Sequence, residues 1–503
     1  LEMEPLASLV EKGKDFSEED KVVLFEEHLR LINEVIPLHR ELQDNGQIEV
    51  TMTPYAHPIL PLLVTTDLAR KALPEMELPA PPFVQGLDAV AQVELGVELY
   101  EEHFGRLPRG MWPAEGAVAQ EIITMIARND IQWMASDEGV LANSLGYDSF
   151  TRDSNEVVVE ADQLYRPYYV EGLRGGPVAM VFRDVAISDK VGFTYSGMAG
   201  DSASQDFIDR IHAIREQLIE SGAEGPHLVS VILDGENAWE HYDNDGKEFL
   251  HELYKSLSGD PAIITVTPSE FLAQAPDQPA IEELWAGSWI NHDFSTWIGE
   301  EEENQAWALL RETRDYLEQF IHGDRQDEVS DEALDEALLA MYAAEGSDWF
   351  WWYGSDQNSG NDESFDVQYR DTLKQVYLAL GETPPIELDV PIIPEKAAEA
   401  DQVSSGLITP LIDGIISDGE WDAAGVYQAS GGVMSGGRDV FTGLAYGFDA
   451  QNMYLKLALQ EGSRSPGVEE SIEIYLDVPG GGALNSFSRS GSLLGFQANR
   501  MVA

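Results

Sequence analysis

The stretch VILDGENAWEHY, residues 231 to 242, carries two acidic side chains directly after an apolar run. Residues 229 to 233 predict a buried strand that delivers Asp234 to its carboxyl end, where a glycine allows the chain to turn. Catalytic groups often follow the strands of α/β barrels, so Asp234 and Glu236, close to Trp239, indicate chemistry on a polar substrate. The structural alternative is a helix N-cap, a common role of Asp and Asn.

Another acidic residue, Glu115, follows a tryptophan in the stretch RGMWPAEGAV. Residues 110 to 112 can form a barrel strand that the next proline ends, which would present Glu115 beside Trp112. Two carboxyl groups at one barrel mouth can cleave a glycosidic bond, provided that one is protonated and the other is ionised. The alternative is a core tryptophan with a helix-start glutamate. Spacing alone does not select Glu115 and Asp234 from the 91 Asp and Glu residues.

The elements that would position these acids alternate between two hydrophobic periods. Apolar residues recur at helical spacing in some segments and form short strand-like runs in the segments between them. Strands separated by helices predict a parallel sheet, either open or closed into a barrel. The strands are predicted at residues 47–52, 110–112, 132–135, 178–182, 229–233 and 263–267, and the helices at 17–44, 88–104, 116–128, 201–221 and 249–257.

Two polar side chains accompany the first predicted strand. Glu49 lies inside the run QIEVTM, and His57 lies between a tyrosine and a proline shortly after it. Their functional interpretation is a carboxylate pointing into the barrel mouth and an imidazole that hydrogen-bonds a sugar. An edge position for the acid and a packed loop histidine are the structural alternatives.

Aromatic residues concentrate in two later segments. Residues 285 to 299 contain three Trp with His292 and no regular period. Sugars offer apolar faces and hydroxyl groups, so this segment favours a carbohydrate surface as much as core packing. Residues 349 to 353 are five consecutive aromatics after Asp348. They predict the lining of a pocket or seam, with core packing again as the rival.

The composition excludes several classes of partner and site. The 91 acidic and 30 basic residues give a formal charge of −61, and such a surface repels nucleic acid and anionic membranes. No apolar run approaches the ~20 residues that span a bilayer. Cys is absent, which excludes disulfides, thiolate metal sites and a Cys nucleophile and leaves the compartment open.

Changes of pattern predict the domain organisation. Residues 1 to 299 would form the barrel, and three helical patterns in residues 300 to 380 predict a small bundle beside it. Residues 381 to 405 are Pro-rich and then polar, as is typical of a linker. Residues 406 to 503 show the alternating strands of a β-sandwich that is cut short. The chain starts without Met, and we expect a fragment at both ends.

Five segments resemble, in order, the signature blocks of glycoside hydrolase family 57, in the branch similar to amylopullulanases and α-amylase-like enzymes. They are GQIEVTMTPYAHPILPLL, RGMWPAEGAV, VILDGENAWEHY, SWINHDFSTWIG and AEGSDWFWWYGSD. The resemblance covers residues 10 to 385 or so, and several blocks are long enough to be specific. More weakly, residues 406 to 503 are similar to the glucodextranase-type C-terminal β-domain that often accompanies these enzymes.

The resemblance implies an α/β fold, namely an incomplete (β/α)7 barrel with a C-terminal helical bundle, followed by a partial β-sandwich. It implies a retaining enzyme that acts on α-1,4 bonds of α-glucans, with α-1,6 bonds as a further option. Glu115 would be the nucleophile and Asp234 the general acid/base, with no metal or cofactor. The other residues in matching blocks would contact the substrate: Glu49, His57, Trp112, Glu236, Trp239, His292 and Asp348.

One block of the family pattern is missing, a His-Gln-Pro segment on the first barrel strand. The sequence starts downstream of its place, and we interpret this as truncation. A 4-α-glucanotransferase or branching-type transglycosidase would carry the same two acids and stays an alternative. A glucan-binding protein without catalysis is another, since part of the pocket would be absent. A metal-dependent deacetylase on a similar barrel is disfavoured, because the ten His show no metal-ligand spacing.

Overall fold

The computed structural model describes residues 4–234, 239–393, 402–412, 416–417, 419–428, 441–459, 474–476, 485–487, 493–498 and 500–502. The chain divides into two compact units, Leu1–Glu395 and Lys396–Ala503. No described helix combines the length and the apolar character that crossing a membrane requires.

The first unit is rich in helices that surround one sheet. Its described α-helices are α1 (Leu6–Lys12), α2 (Glu18–Asp44), α3 (Leu60–Val64), α4 (Ala69–Ala72), α5 (Gly86–Phe104), α6 (Ile123–Arg128), α7 (Glu138–Ser144), α8 (Ala161–Leu164), α9 (Val185–Asp189), α10 (Gly200–Glu220), α11 (Lys247–Gly259), α12 (Pro268–Gln274), α13 (Glu301–Ile321), α14 (Asp331–Ala344), α15 (Ser347–Trp351) and α16 (Asp362–Ala379). Its strands are β1 (Gly110–Met111), β2 (Trp133–Asp137), β3 (Tyr168–Glu171), β4 (Pro177–Arg183) and β5 (Ala280–Ile281).

These strands form one sheet in the order β1-β2-β4-β3-β5. β1, β2 and β4 run parallel, whereas β3 is antiparallel to β4 and parallel to β5. Isolated parallel bridges extend the parallel part on both sides, from Met52 to Met111 and from Arg183 to Ser230. Five parallel chain segments therefore end at the same edge of the sheet.

A row of methionines fixes the register of this sheet. Met52 is bridged to Met111, Met111 pairs with Met134, and Met134 pairs with Met180. All four side chains are buried in the main hydrophobic core. Alternate residues of a strand face opposite sides, and a second, smaller cluster accordingly contains Trp133, Ala135, Ala179 and Val181, with Leu228 and Ile232 packed against it.

The strand predicted at residues 229 to 233 is much shorter than expected. β3, which the sequence pattern did not predict, pairs with β4 from Pro177 to Met180. This pairing leaves the end of β4 for Ser230, whose bridge to Arg183 is the one strand-like contact of that segment. The segment predicted at 47–52 likewise contributes one bridge, at Met52, and residues 263–267 form no strand. The result is a mixed α/β fold with mainly parallel pairing, and closure into a seven-stranded barrel stays a prediction.

The helical part that follows the sheet packs around aromatic side chains. The rings of Trp307 on α13 and Phe350 on α15 stack with centroids 4.3 Å apart. Tyr369 on α16 donates its hydroxyl to the backbone oxygen of Ala306 at 2.8 Å. Leu388, Ile392 and Ile393 are buried in the same core, so the first part of the predicted linker packs against the first unit.

The described strands of the second unit are all antiparallel to their partners. The sheet β6-β7-β8 is formed by β6 (Gly425–Gln428), β7 (Phe441–Phe448) and β8 (Met453–Leu459), and two further pairs join β9 (Ile474–Leu476) to β12 (Arg500–Val502) and β10 (Asn485–Phe487) to β11 (Leu493–Ala498). Ile408, Ala424 and Ala445 form a small core. A sandwich arrangement of these strands stays a prediction.

Glu303, in the first turn of α13, is a carboxyl group taken out of water. Its Oε2 accepts the backbone N–H of Glu300 at 2.9 Å, while Oε1 is buried without a hydrogen-bond partner among the described residues. Burial raises the pKa of Glu303 to about 8, and the charges of Asp356 and Glu300 act in the same direction.

Glu303→Gln should therefore flatten the pH dependence of stability. The folded chain holds a proton on Glu303 that the unfolded chain releases near pH 4.5. The contribution of this group is thus complete below pH 4.5 and is lost as the pH rises to about 8. At the upper end of this pH range, the free energy of unfolding, measured in urea, should be larger for the variant than for the wild type by on the order of a few kcal/mol. Glu301→Gln, an exposed neighbour on α13, is the control, and parallel pH curves for Glu303→Gln and the wild type would contradict the prediction.

Candidate functional site

The common edge at which the parallel segments end collects polar side chains from distant parts of the chain. Residues just after the carboxyl end of a parallel strand are well placed to act on a ligand, because they meet at one rim. By their position after these segments, the candidates are His57 after Met52, Glu115 after β1, Asp137 at the end of β2, Arg183 at the end of β4 and Asp234 after Ser230.

Glu115 lies in a strained turn. Its backbone is left-handed, with φ 56° and ψ 26°, and Gly116 also has a positive φ of 59°. A Cβ on Gly116 would lie 2.9 Å from the Trp112 ring, so only glycine fits beside that indole. The Ser136 hydroxyl donates to the Gly116 carbonyl at 2.7 Å and helps to hold the turn. A non-glycine residue in this conformation costs of order 1–3 kcal/mol, and such strain concentrates at functional sites.

Trp289 holds Glu115 by two hydrogen bonds. Its backbone N–H donates to the Glu115 carbonyl at 3.1 Å, and its indole Nε1–H donates to Glu115 Oε2 at 2.9 Å. The antiparallel bridge between Val118 and Gly287 aligns the two chain segments that carry these residues. The Glu115 carboxylate, which is half-buried, therefore has one oxygen in a fixed direction.

A chain of charged groups continues from Trp289 along the edge. The Arg183 guanidinium lies over the Trp289 ring, 5.1 Å from its centroid. Arg183 Nε lies 3.3 Å from Asp137 Oδ2, and the same guanidinium also pairs with Asp189. The cation on the ring polarises the indole in the sense that strengthens its N–H as a donor. Glu115, Trp289, Arg183 and Asp137 thus form one connected arrangement.

His292 joins this arrangement through Asp137. Its Nε2 lies 3.1 Å from Asp137 Oδ1, and Asp137 is fully buried. The hydrogen bond to Asp137 raises the pKa of the His292 imidazole, whereas its partial burial acts in the opposite direction. The ring packs so closely on Gly139 that a Cβ there would lie 2.1 Å from it. The Trp285 indole fixes the backbone by donating to the His292 carbonyl at 2.9 Å.

A second set of largely buried charges joins the residues that directly follow β2 and β4. Arg152 pairs with Glu138, the residue after Asp137, and with Asp184, the residue after Arg183, the latter at 3.0 Å. Tyr165 donates its hydroxyl to Asp184 at 2.5 Å. Burial raises the pKa of Glu138, and the Arg152 charge opposes that shift. The ends of β2 and β4 are therefore tied together on this side.

Asp234 is exposed and follows the segment that ends at this edge. Ser230 accepts the Asp184 N–H at 3.1 Å, and the Ile232 N–H donates to the Ser188 hydroxyl at 3.1 Å. These bonds place the chain just before Asp234 beside the end of β4. Glu236 lies outside the described residues.

His57 and Asp348 are neighbours through Ser347. His57 has a left-handed backbone with φ 57°, and its Nδ1 lies 2.9 Å from the Ser347 hydroxyl. The Ser347 N–H donates to the His57 carbonyl at 3.0 Å. Asp348 is exposed in the first turn of α15. The helical part of the first unit is thus joined to the rim at His57.

Two predicted site residues have other surroundings. The Glu49 carboxylate accepts hydrogen bonds from Ser269 and from the Trp133 indole, the latter at 3.3 Å. Since Trp133 is the first residue of β2, the structure does not bring Glu49 to the carboxyl edge. Trp239 packs on Tyr242 and Phe249 at the margin of a hydrophobic cluster.

Asp137, Arg183 and Trp289 are the functional candidates that the residue patterns did not select. Asp137 and Arg183 each follow a predicted strand, which is the same criterion that singled out Asp234. Trp289 is one of three tryptophans in the aromatic segment 285–299, and nothing in the sequence distinguishes it from the other two. Positional logic could therefore have found the first two, whereas the bond from Trp289 to Glu115 joins residues 174 positions apart.

Other candidate features of the described residues lie elsewhere or are absent. An open cavity of about 570 Å³ is lined by Ser154, Asn155, Glu156, Asp206, Asp209, Arg210 and Ala213, none of which belongs to the carboxyl edge. Within the described part of the chain, no three His, Asp or Glu side chains are grouped so as to hold a metal ion.

Comparisons with known proteins match the chain to enzymes. The family model described as "Glycosyl hydrolase family 57" matches residues 21–282. A 1,4-alpha-glucan branching enzyme of Thermococcus kodakarensis is 23% identical over 379 residues, which are 63% of this chain and 51% of that enzyme. The chain therefore spans about half the length of this curated relative.

Solved structures match in fold. The crystal structure of the Thermococcus branching enzyme superposes with a TM-score of 0.54 at 18% identity, covering 75% of this chain and 77% of that chain. The α-amylase of Thermotoga maritima gives a TM-score of 0.52 at 16% identity, covering 76% of this chain and 79% of that chain. The mixed, mainly parallel sheet with many helices is thus an architecture shared with these enzymes.

Asp137→Asn should lower the pKa of His292, measured by NMR titration of the imidazole, with His292→Gln used to assign the signal. In the wild type that pKa lies above its usual value of 6.5, because the Asp137 carboxylate accepts from the ring. Without this charge, partial burial of the ring lowers the pKa. Asp293→Asn removes a nearby charge that acts more weakly and should lower the pKa less. Equal shifts in the two variants would contradict the assigned hydrogen bond.

Proposed function

Because this chain belongs to glycosyl hydrolase family 57, we propose that it is a retaining glycosidase of α-glucans with Glu115 as nucleophile and Asp234 as general acid/base. The observation that carries the proposal is the indole N–H of Trp289 bonded to Glu115 Oε2 in a strained turn at the carboxyl edge. A nucleophilic carboxylate has to be held in a defined direction relative to the anomeric carbon. The bond from Trp289 to Oε2 sets the direction of the Glu115 carboxylate.

Asp234 supplies the second carboxyl group that the reaction requires. As an acid it would protonate the leaving oxygen, and as a base it would then activate the water that releases the glycosyl-enzyme. β2 and β4 separate the segments that carry the two acids, which amounts to three strand spacings, or ~14 Å along the sheet. A retaining mechanism requires the carboxyl groups to come within about 5–5.5 Å of each other. The proposal therefore requires the Glu115 and Asp234 side chains to extend toward each other beyond the strand ends.

The remaining rim residues would bind the sugar. Trp112 and Trp289 meet edge to face with ring centroids 5.1 Å apart, and indole rings suit the apolar faces of glucose units. His57, His292 and Asp348 would hydrogen-bond hydroxyl groups. Glu236 and Trp239 belong to the proposed set because they follow Asp234 in the same sequence block, and Glu49 belongs to it through its own sequence block alone.

The charge pattern favours a neutral substrate. The rim carries Glu115, Asp137 and Asp234 with one guanidinium, that of Arg183, which carboxylates already engage. An anionic ligand would meet repulsion there, whereas a glucan brings hydroxyl donors for these acceptors. α-1,4 bonds are the proposed target, with α-1,6 bonds as an additional one.

Glu115→Gln should abolish the release of reducing ends from amylose and pullulan. Asp234→Asn, which removes the acid/base, should lower the rate of release by about 10²–10⁴-fold. The two variants should differ on α-glucosyl fluoride, whose leaving group needs no protonation. Added azide, which needs no general base, should restore turnover of Asp234→Asn and leave Glu115→Gln inactive. Glu98→Gln, exposed on α5, is the control. Nearly full turnover in either active-site variant would refute its assigned role.

Transfer to a second glucan is a second candidate outcome of the same chemistry. It is favoured by the curated relative, which is named a 1,4-alpha-glucan branching enzyme. Hydrolysis and transfer share the glycosyl-enzyme and differ in whether water or a sugar hydroxyl attacks it.

Incubation with maltooligosaccharides should therefore yield shorter chains if water is the acceptor. Lengthened chains would identify a 4-α-glucanotransferase, and branched products that a debranching enzyme trims would identify a branching activity. Glu115→Gln is the blank for either product. Retention on an amylose resin with no change in any oligosaccharide would instead favour a glucan-binding protein without catalysis and would refute the proposed activity.

A further inference from the structure

A buried glutamine connects the rim to the helical part of the first unit. Gln92 on α5 is fully buried. Its Nε2 donates to the Tyr342 carbonyl at 2.9 Å and to Glu345 Oε2 at 2.8 Å, and its Oε1 accepts the Ala56 N–H at 2.9 Å. One side chain therefore holds both the end of α14 and the loop at residues 55–57.

The two segments that Gln92 holds are also bonded to each other. The Ser347 N–H donates to the His57 carbonyl, and the Ser347 hydroxyl contacts His57 Nδ1. A Cβ on Gly346 would lie 2.7 Å from the Ala56 carbonyl oxygen, so the backbones are in close contact. We call residues 55–57 and 345–347, with Gln92, the clasp. His57 is in the clasp, and Asp348 follows it directly.

Glu345 in the clasp must carry a proton. It is 1% exposed, its Oε2 accepts from the neutral Gln92 amide, and a carboxylate buried without a cation of its own is costly unless it takes up a proton. The nearby Arg314 guanidinium is engaged by Asp88 at 2.6 and 3.1 Å, and Glu345 has no ion pair among the described residues, so we assign the proton to Glu345. Among the described residues, no donor is directed at Glu345 Oε1, as expected if that oxygen carries the hydrogen.

The groups that face Glu345 from other elements agree with this state. Arg314 on α13 is the nearby cation, and it is shared between Asp88 on α5 and Glu318. Tyr369 on α16 and Tyr342 on α14 are neutral neighbours. Burial raises the pKa of Glu345 well above its usual value, the Asp88 charge adds to this, and the Arg314 charge opposes it.

We propose that Gln92 and protonated Glu345 are positioning residues, which hold the clasp closed and thereby keep His57 and Asp348 at the glucan-binding rim. Loss of the proton would place two carboxylates side by side in a buried site with one shared guanidinium, so the clasp would open. Opening should weaken glucan binding and leave Glu115 and Asp234 chemically unchanged. The binding consequence rests on the proposed function, whereas the opening itself does not.

Hydrogen exchange at the clasp tests the opening without any activity assay. In the full chain, the Ala56 and Ser347 amides should be protected at neutral pH and lose protection, beyond the intrinsic rate change, at alkaline pH. Glu345→Gln keeps the shape but cannot ionise, so its protection should persist at both values. Gln92→Met removes the Ala56 bond and should raise exchange at Ala56 about tenfold at either pH.

The controls and the contrary results are specific. Glu336→Gln, exposed on the same helix as Tyr342, should behave as the wild type. The proposal is overturned if Glu345→Gln loses protection with pH as the wild type does, or if Gln92→Met leaves the Ala56 amide protected.

Kinetics on amylose test the consequence for binding. In the wild type, KM should rise at alkaline pH before kcat falls, and Glu345→Gln should keep a low KM over that range. Gln92→Met should raise KM about tenfold at all pH values while kcat changes less. A matched fall of kcat with unchanged KM would overturn the positioning role. If Glu115→Gln retained turnover, the proposed function would fail while the exchange results still decided whether the clasp exists.

Discussion

The register of the parallel strands is the constraint on which the rest of the first unit depends. Met52, Met111, Met134 and Met180 lie side by side across the sheet and are all buried. A slip by one residue would turn each methionine to the other face and expose it. The same row sets how far each strand extends before it ends. The buried row therefore determines that the strands before Glu115, Asp137 and Arg183 end at one rim.

The second feature that shapes the molecule is the scarcity of cations. With 30 basic residues against 91 acidic ones, several arginines in the first unit each serve more than one carboxylate. Arg183 pairs with Asp137 and Asp189, and Arg152 pairs with Glu138 and Asp184. Buried acids without a cation of their own can stay in the core only as neutral carboxylic acids. Glu303 and Glu345 are such cases, and they make a proton part of the folded structure.

The rim combines these two features. Strand register brings Glu115 and Arg183 to the same edge, and Trp289 contacts both, as a hydrogen-bond donor to one and a ring beneath the other. The helical part adds Asp348 and is joined to the loop that carries His57 through a buried polar network. The fold shared with a branching enzyme and an α-amylase of low sequence identity supplies the scaffold, and the side chains at the rim would decide which acceptor completes the reaction.

The sequence by itself determined the family, the core strands β1, β2 and β4, most long helices and the identity of the two proposed catalytic acids. These features depend on contiguous residues, since an apolar period or a signature block is a local property. Tertiary structure alone decided that β3 displaces most of the strand expected at residues 229–233. It also decided that Trp289 bonds Glu115 and that Glu345 bonds Gln92, residues separated by 174 and 253 positions. Such contacts arise from strand register and helix packing, so no local pattern in the chain encodes them.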